Sequence, residues 1–534
     1  MSESSKRQTF LHGAAWLAMA TAIVKLIGAF YKIPLKMIIG DQGYGYFSTA
    51  YDIYSVLLMI STAGLPVAMS RMISQANSLG NYNQVRRVYK TARAIFLGLG
   101  IVSSALMVLF SRQLAAFQEQ PNAAYAIMFL GPCALFMGII STFRGFFQGQ
   151  ENMRPTSVSQ VIEAMFKLVI GLGAAYLLIK QFNSIPLAAG GAILGVTASC
   201  MISVGYLYTK FRASYRDLPV TAEKAETFGQ TAKGLLAIAV PITIGSAGLQ
   251  LLTVLETKLY MGQLLTAGGL SQDTADTLKG IYNMTQTIFN MPCAFIVPIA
   301  VSVLPAITAH LTLRQDAQVK ATEESAARVT GLISLPCSVG LCLLAGPIMA
   351  LLGGYSGEKL ALATTLMAVL GISVFLYAII QYTNALMQAH GYAHVPVINM
   401  LLAGVMKLAA VYILVGNPQI GIVGAPIGAA LGYGAIAALN LVSIRRVVKQ
   451  KPALLKNLLR PFLPAAIMGV AVYATVWVIT HFLGNDVSMV LQCGAGVLVG
   501  VCVYFVAVVK CKVITREDCQ LLPKGEKIAK LLKL

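Results

Sequence analysis

Stretches of twenty or more apolar residues recur along this 534-residue chain, separated by short polar or Gly/Pro-rich breaks. No other feature restricts the fold so strongly: a bilayer with a hydrocarbon core about 30 Å thick demands such runs, and a soluble core does not. They fall at roughly 12–38, 46–73, 92–111, 124–147, 156–179, 187–209, 234–259, 279–310, 327–351, 361–388, 396–415, 422–444, 460–482 and 488–509. The pattern predicts an all-α polytopic membrane protein with 14 transmembrane helices. Composition agrees, with 57% hydrophobic and 11% charged residues, against about a quarter charged in a soluble domain. Pro34 and Pro298 mark expected kinks. The basic N-terminal head leads into an apolar run without a small-residue cleavage site before Lys25, so that run reads as a retained first span.

The net charge of +20 raises the question of an anionic partner, and its distribution answers it. An even span count places both termini on one side. Of the 40 Lys and Arg residues, about 29 then fall in loops on the side of the termini, about six on the other side and five within spans. This is the positive-inside bias, so both termini are assigned to the cytoplasm, and no nucleic-acid partner is needed. The tail 510–534 is basic with interleaved Leu and Ile, suiting either a segment lying on anionic lipid or a solvated end. The nine cysteines are scattered singly and read as small core residues, with no disulfide or metal framework.

The halves repeat weakly. Residues 143–167 lie over 383–407 at a constant offset of 240, matching Gln148 with Gln388, Arg144 with Asn384 and Lys167 with Lys407. Residues from Gly45 lie over those from Gly280 at an offset of 235. Both offsets equal six spans, so the two halves share one orientation and are related by an axis along the membrane normal. The expected organisation is an N-lobe at 1–225, a C-lobe at 226–445, an appendix of two helices at 446–509, and the tail.

Ionisable side chains inside a span are costly, so each is a functional candidate. In span 1, Thr21, Lys25, Gly28, Lys32 and Lys36 share one helical face. Lys32 and Lys36 either meet a ligand or snorkel to the interface; Lys25 lies too deep to snorkel. Asp52 in span 2 follows a Tyr-rich stretch and either serves a binding cavity or neutralises a span-1 lysine. Glu256 in span 7 and Asn283, Gln286 and Asn290 in span 8 continue a set of polar faces on the first two helices of each lobe, directed at the expected inter-lobe cleft. Lys279 stands at the start of span 8. Arg71 and Arg144 read as anchors or gates, and Glu163 and Lys167, four residues apart, as a pair satisfying one another. Ala403 replaces the carboxylate beside Lys407. His390 and His394 lack a third ligand, and no metal site is expected. Neither a P-loop nor a DxD motif occurs, so the chain does not read as an enzyme.

The segment GDQGYGYFSTAYDIYSVLLMISTAGLPVAMSRMISQ, the segment RGFFQGQENMRPTSVSQVIEA and the segment VPIAVSVLPAITAHL resemble the polysaccharide-biosynthesis branch of the multidrug/oligosaccharidyl-lipid/polysaccharide (MOP) exporter superfamily. Within it they are most similar to the stage V sporulation B and lipid II flippase groups. The resemblance implies 14 helices in two lobes, a central cationic cavity, and alternating access that turns an undecaprenyl-diphosphate-linked sugar across the cytoplasmic membrane. Lipid II flippases carry a basic residue before a hydrophobic pair and Gly in the first helix. Here those positions are Lys25, Leu26, Ile27 and Gly28, so the resemblance implies diphosphate binding at Lys25. The family's cation in span 8 has neutral Asn283, Gln286 and Asn290 in its place at depth. The last two helices are implied to hold the lipid tail. The expected partners are the lipid-linked sugar, the bilayer and wall-synthesis enzymes, with the protein a monomer and without cofactor beyond an unidentified coupling ion or the membrane potential. A cation-coupled multidrug exporter is the competing transporter reading, against which the lysines of span 1 weigh. A non-transporting scaffold of a wall-synthesis or sporulation complex is the reading from another class.

Overall fold

Helices form where the apolar runs were read, and they extend well past them. The computed structural model describes residues 3–62, 64–220, 222–449, 451–483 and 489–514. Within these, the side chains of residues 3–22, 25, 26, 29, 61, 62, 245, 249, 297–306, 309, 312 and 483 lie outside the described set. The chain is all-helical, with no strand among the described residues.

The order is α1 (Glu3–Thr62), α2 (Leu65–Ser78), α3 (Tyr82–Leu109), α4 (Ser111–Phe117), α5 (Ala124–Gly149), α6 (Arg154–Phe182), α7 (Ile185–Arg216), α8 (Phe228–Thr266) and α9 (Gln272–Thr312). It continues with α10 (Asp316–Leu343), α11 (Ala345–Gly353), α12 (Gly357–Ala389), α13 (His394–Val415), α14 (Gly424–Val447), α15 (Leu454–Leu459), α16 (Phe462–Leu483) and α17 (Met489–Lys510). Local chemistry sets several ends. The Asn81 side chain accepts from the Gln84 amide at 2.9 Å to cap α3, prolines open α2, α6 and α7, and Asn183 closes α6 in the left-handed conformation.

Pro34 sits inside α1 without breaking it. The break falls at Gly40, whose φ of 70° and ψ of −176° belong to a region essentially reserved for glycine. The kink expected at Pro34 is therefore displaced by six residues, and the first two apolar runs become one bent helix. Pro298 lies outside the described side chains. Twelve helical stretches among the described residues are long and apolar enough to cross a bilayer. Compared with the fourteen expected, residues 30–78 run as one such stretch over the first two runs, and α9 crosses 297–306, outside the described side chains. The basic tail lies outside the described residues from position 515 onward.

The chain divides into two compact units: α1 to α8 with α9 up to Asn283, and the rest of α9 with α10 to α17. In the first, α6 packs on α7, α5 on α3 and α7, and α1 on α5 and α6. Its core is aromatic, with Tyr31, Tyr44, Phe47, Phe96 and Phe146 fully buried. In the second, α13 packs on α14, α10 on α12 and α15, and α16 on α17, around Tyr382, Leu386, Met387 and Leu458. Outward faces are equally apolar: Leu177, Val405, Ile413, Val470 and Leu498 are all exposed. A helix that is apolar on both faces, with every interior peptide group bonded within itself, suits hydrocarbon on its outside.

Candidate functional site

Tyr46, Thr49 and Asp52 are three residues apart beyond the bend at Gly40, and so fall on one face of α1. On α9, Asp276, Lys279 and Asn283, three and then four residues apart, also share one face. The two faces meet because Gly280 lacks a side chain: a Cβ there would stand 1.9 Å from the Asp41 carbonyl oxygen. The contact creates a buried chain of polar groups. Lys279, fully buried, donates to Thr49, and Thr49 donates to Gln120 Oε1. Gln120 Nε2 donates to Asp276 Oδ1 at 2.7 Å, and Gln272 Nε2 donates to the same oxygen at 3.0 Å. Tyr46 donates to Asp276 Oδ2 at 3.0 Å and accepts from Asn122 at 3.2 Å. At the other end, Asp52 Oδ2 lies 3.8 Å from the Lys279 ammonium and accepts from Thr257 of α8 at 3.3 Å. Burial pushes the Asp276 carboxyl, which precedes the apolar span of α9, above the ordinary carboxylate value, and its three hydrogen-bond donors pull the other way. Glu256, also buried, adds its charge to the surroundings of Asp52.

A second group of charges lies on α6 and the first part of α1. Arg144 of α5 meets Glu163 at 3.1 Å and donates through Nε to Ser159 at 3.0 Å. Lys167, one turn beyond Glu163, stands instead over two aromatic faces, 4.8 Å from the Tyr51 ring centroid and 5.2 Å from that of Tyr31. Lys32 is an electrostatic neighbour of both Asp52 and Lys167. Lys36 is buried and pairs with Asp41 at 3.2 Å.

Several expectations change. Glu163 and Lys167 do not neutralise one another by direct contact, because Arg144 reaches the carboxylate with the geometric advantage of a planar guanidinium. Asp52 has Lys279 as its ion-pair partner, with the span-1 residue Lys32 a charged neighbour. Lys36 does not snorkel, since Asp41, just past the bend, holds it inside. The structure thus gathers Lys32, Asp52, Glu163, Lys167, Arg144 and Glu256 in the first unit, with Asn283 at its edge. Gln286, Asn290 and Lys407 fall in the second unit, where Lys407 lies 5.8 Å from the Tyr433 ring centroid. Arg71 is exposed on α2. Lys25 is on α1, its side chain outside the described set. His390 lies 2.7 Å from Glu323, and no group of three or more metal-ligating side chains occurs among the described residues.

Lys279, Thr49, Gln120 and Asp276 escaped the sequence reading as site residues. Hydropathy puts Lys279 at a span end, where a lysine finds water. The helix in fact begins at Gln272, two turns earlier, and carries Lys279 into the interior. The available signal was the shared face of Asp276, Lys279 and Asn283 with Gly280 between the last two.

A profile of the family described as "Polysaccharide biosynthesis protein" matches residues 10–310. Among curated proteins, the uncharacterized membrane protein YabM of Bacillus subtilis is 26% identical over 99% of this chain and 97% of its own length. The lipid II flippase MurJ of the same organism is 24% identical over 89% of each chain, and its stage V sporulation protein B is 24% identical over 83% of this chain and 85% of its own. Among solved structures, the lipid II flippase MurJ in an inward closed conformation shares the fold with a TM-score of 0.62 at 14% identity, covering 92% of this chain and 97% of that one. An inward-facing MATE multidrug resistance transporter gives 0.63 at 16% identity, covering 80% of this chain and 99% of that one. With more than half of its length matched by the family profile, this multi-pass membrane protein belongs to the polysaccharide biosynthesis protein family.

Proposed function

We propose that the protein is a flippase that carries an undecaprenyl-diphosphate-linked oligosaccharide, lipid II or a related wall or spore-cortex precursor, across the cytoplasmic membrane by alternating access. The observation that carries this reading is Lys167. It is a cation inside a membrane helix, set over two ring faces, while its carboxylate neighbour is engaged by Arg144. Ring faces hold an ammonium without neutralising it. With Lys32 as a like-charged neighbour, the pair repels in a low-dielectric site and gains most from a doubly charged diphosphate, whose oxygens form charge-assisted hydrogen bonds there. Lys25, seven residues before Lys32 on α1 and so about 10 Å along the helix, receives the headgroup first. Asp52 and Glu256 steady the cations when substrate is absent.

The second unit has an apolar groove of the kind that takes an alkyl chain. A groove of about 570 Å³ runs along α10, α16 and α17, lined by Leu332, Pro336, Leu344, Met468, Gly496 and Val501. In this reading the chain has 14 spans, as an N-lobe at 1–225, a C-lobe at 226–445 and an appendix at 446–509, with both termini cytoplasmic. It acts as a monomer alongside wall-synthesis enzymes, and the substrate leaves chemically unchanged. The test is a reconstituted assay. Purified protein in liposomes should expose a fluorescent undecaprenyl-diphosphate oligosaccharide to a membrane-impermeant quencher faster than empty vesicles, and Lys167→Gln should slow it about tenfold, the worth of one charged contact. A rate equal to that of empty vesicles overturns the assignment.

A further inference from the structure

The first unit has an apolar groove of its own, separate from the buried charges. It measures about 440 Å³, inside the roughly 300–1,000 Å³ range of ligand clefts. Ile53 and Leu57 of α1, Leu106 of α3, Phe117 of α4, and Leu251 and Val254 of α8 line it. The wall is tied together by Gln118, a fully buried side chain whose Nε2 donates to the Val254 carbonyl at 3.2 Å. Four helices therefore form a built cleft, in which Gln113 is the one polar lining residue.

A cation stands at its rim. The Lys258 ammonium lies 4.0 Å from the centroid of the Phe117 ring that lines the groove. Arg112 is exposed on α4 beside Gln113. An ammonium held on an aromatic face keeps its charge and has donors left for a ligand. Such a rim selects an anionic head, and the cleft below it selects an alkyl chain.

We infer that this groove is a binding site for an anionic membrane lipid, its hydrocarbon chain between α1, α3, α4 and α8 and its phosphate at Lys258, with Gln113 and Arg112 as further donors. α3 ends here, its first turns carrying Arg86, Arg87, Lys90 and Arg93, and α8 reaches Lys258 after starting near Lys233. On the orientation proposed above, the site opens to the non-cytoplasmic leaflet. Its existence does not rest on the flippase reading.

The experiment uses the full chain purified in mixed micelles containing equal phosphatidylglycerol and phosphatidylcholine, with retained lipid counted by mass spectrometry after washing. Wild type and Lys258→Arg should retain phosphatidylglycerol over phosphatidylcholine about tenfold, and Lys258→Gln should lose that preference, as expected for one charge-assisted contact. Leu251→Trp, which fills the cleft with an apolar ring, should lower retention of both. Equal retention of the two lipids by wild type, or an unchanged preference in Lys258→Gln, overturns the proposal. So does a photo-crosslinker at the exposed Leu106 that captures protein instead of lipid.

Discussion

Helices α6 and α13 begin 240 residues apart, at the offset of the sequence repeat, and differ in how they handle polarity. In the first unit, Arg144 of α5 bridges Ser159 and Glu163 of α6, and Ser203 of α7 donates to the Ser159 carbonyl. In the second, the corresponding positions are Asn384, Asn399, Ala403 and Ser443. There Asn399 donates to Asn440 at 2.9 Å and to Ser443 at 3.1 Å, and Asn440 donates to Asn384 at 2.9 Å and to Thr383 at 3.0 Å. One scaffold therefore carries an ion pair in one copy and an amide ladder in the other. Burying charges costs more than burying satisfied amides, so the ionic version is a poor choice for stability alone. In the function proposed above, the first unit is where the charged ligand is met.

The largest test of the comparison lies at the fully buried lysine. Lys279→Met leaves Asp52 and Thr49 without their cation, and removal of one member of a buried pair should lower stability by about 3–5 kcal/mol. Reversible unfolding in mixed micelles measures this, and Lys279→Met with Asp52→Asn should recover a large part of the loss. Next comes Arg144→Ala, which should destabilise by about 3 kcal/mol because Glu163 keeps its charge. Copying the second unit outright, Arg144→Asn with Glu163→Ala, should fold to within about 1 kcal/mol of wild type, since both charges leave together. An equal loss in the double variant would show that the ion pair is structural after all.

A smaller effect separates the two repeat-related lysines. Lys167→Gln should reduce transport in liposomes about tenfold, near 1.4 kcal/mol, whereas Lys407→Gln should change it by less than about twofold if the ligand is met in the first unit. Equal losses would make the two lysines partners in one cavity and erase the asymmetry.

The helical, many-span character was legible from the sequence. Partner identity was not legible. Glu163 and Lys167 stand at the spacing of a helical ion pair, yet Arg144 takes the carboxylate from α5. Lys279 looked interfacial because the extent of α9 before it cannot be read from hydropathy. The bend at Gly40 rather than Pro34 shows the same limit, since a proline signals a lost hydrogen bond but only the packed chain determines where a helix turns.

What the sequence alone determined is the solvent and the periodicity. Apolar runs of bilayer length require helices, and the 3.6-residue repeat assigns each side chain to a face. What only the tertiary structure decided is which faces meet. Tyr46 and Asp276 are 230 residues apart and share a hydrogen bond because Gly280 lets α9 touch α1. Periodicity is a local property of one helix, whereas a charge in a membrane is stabilised by neighbours from other helices, and close packing selects those neighbours.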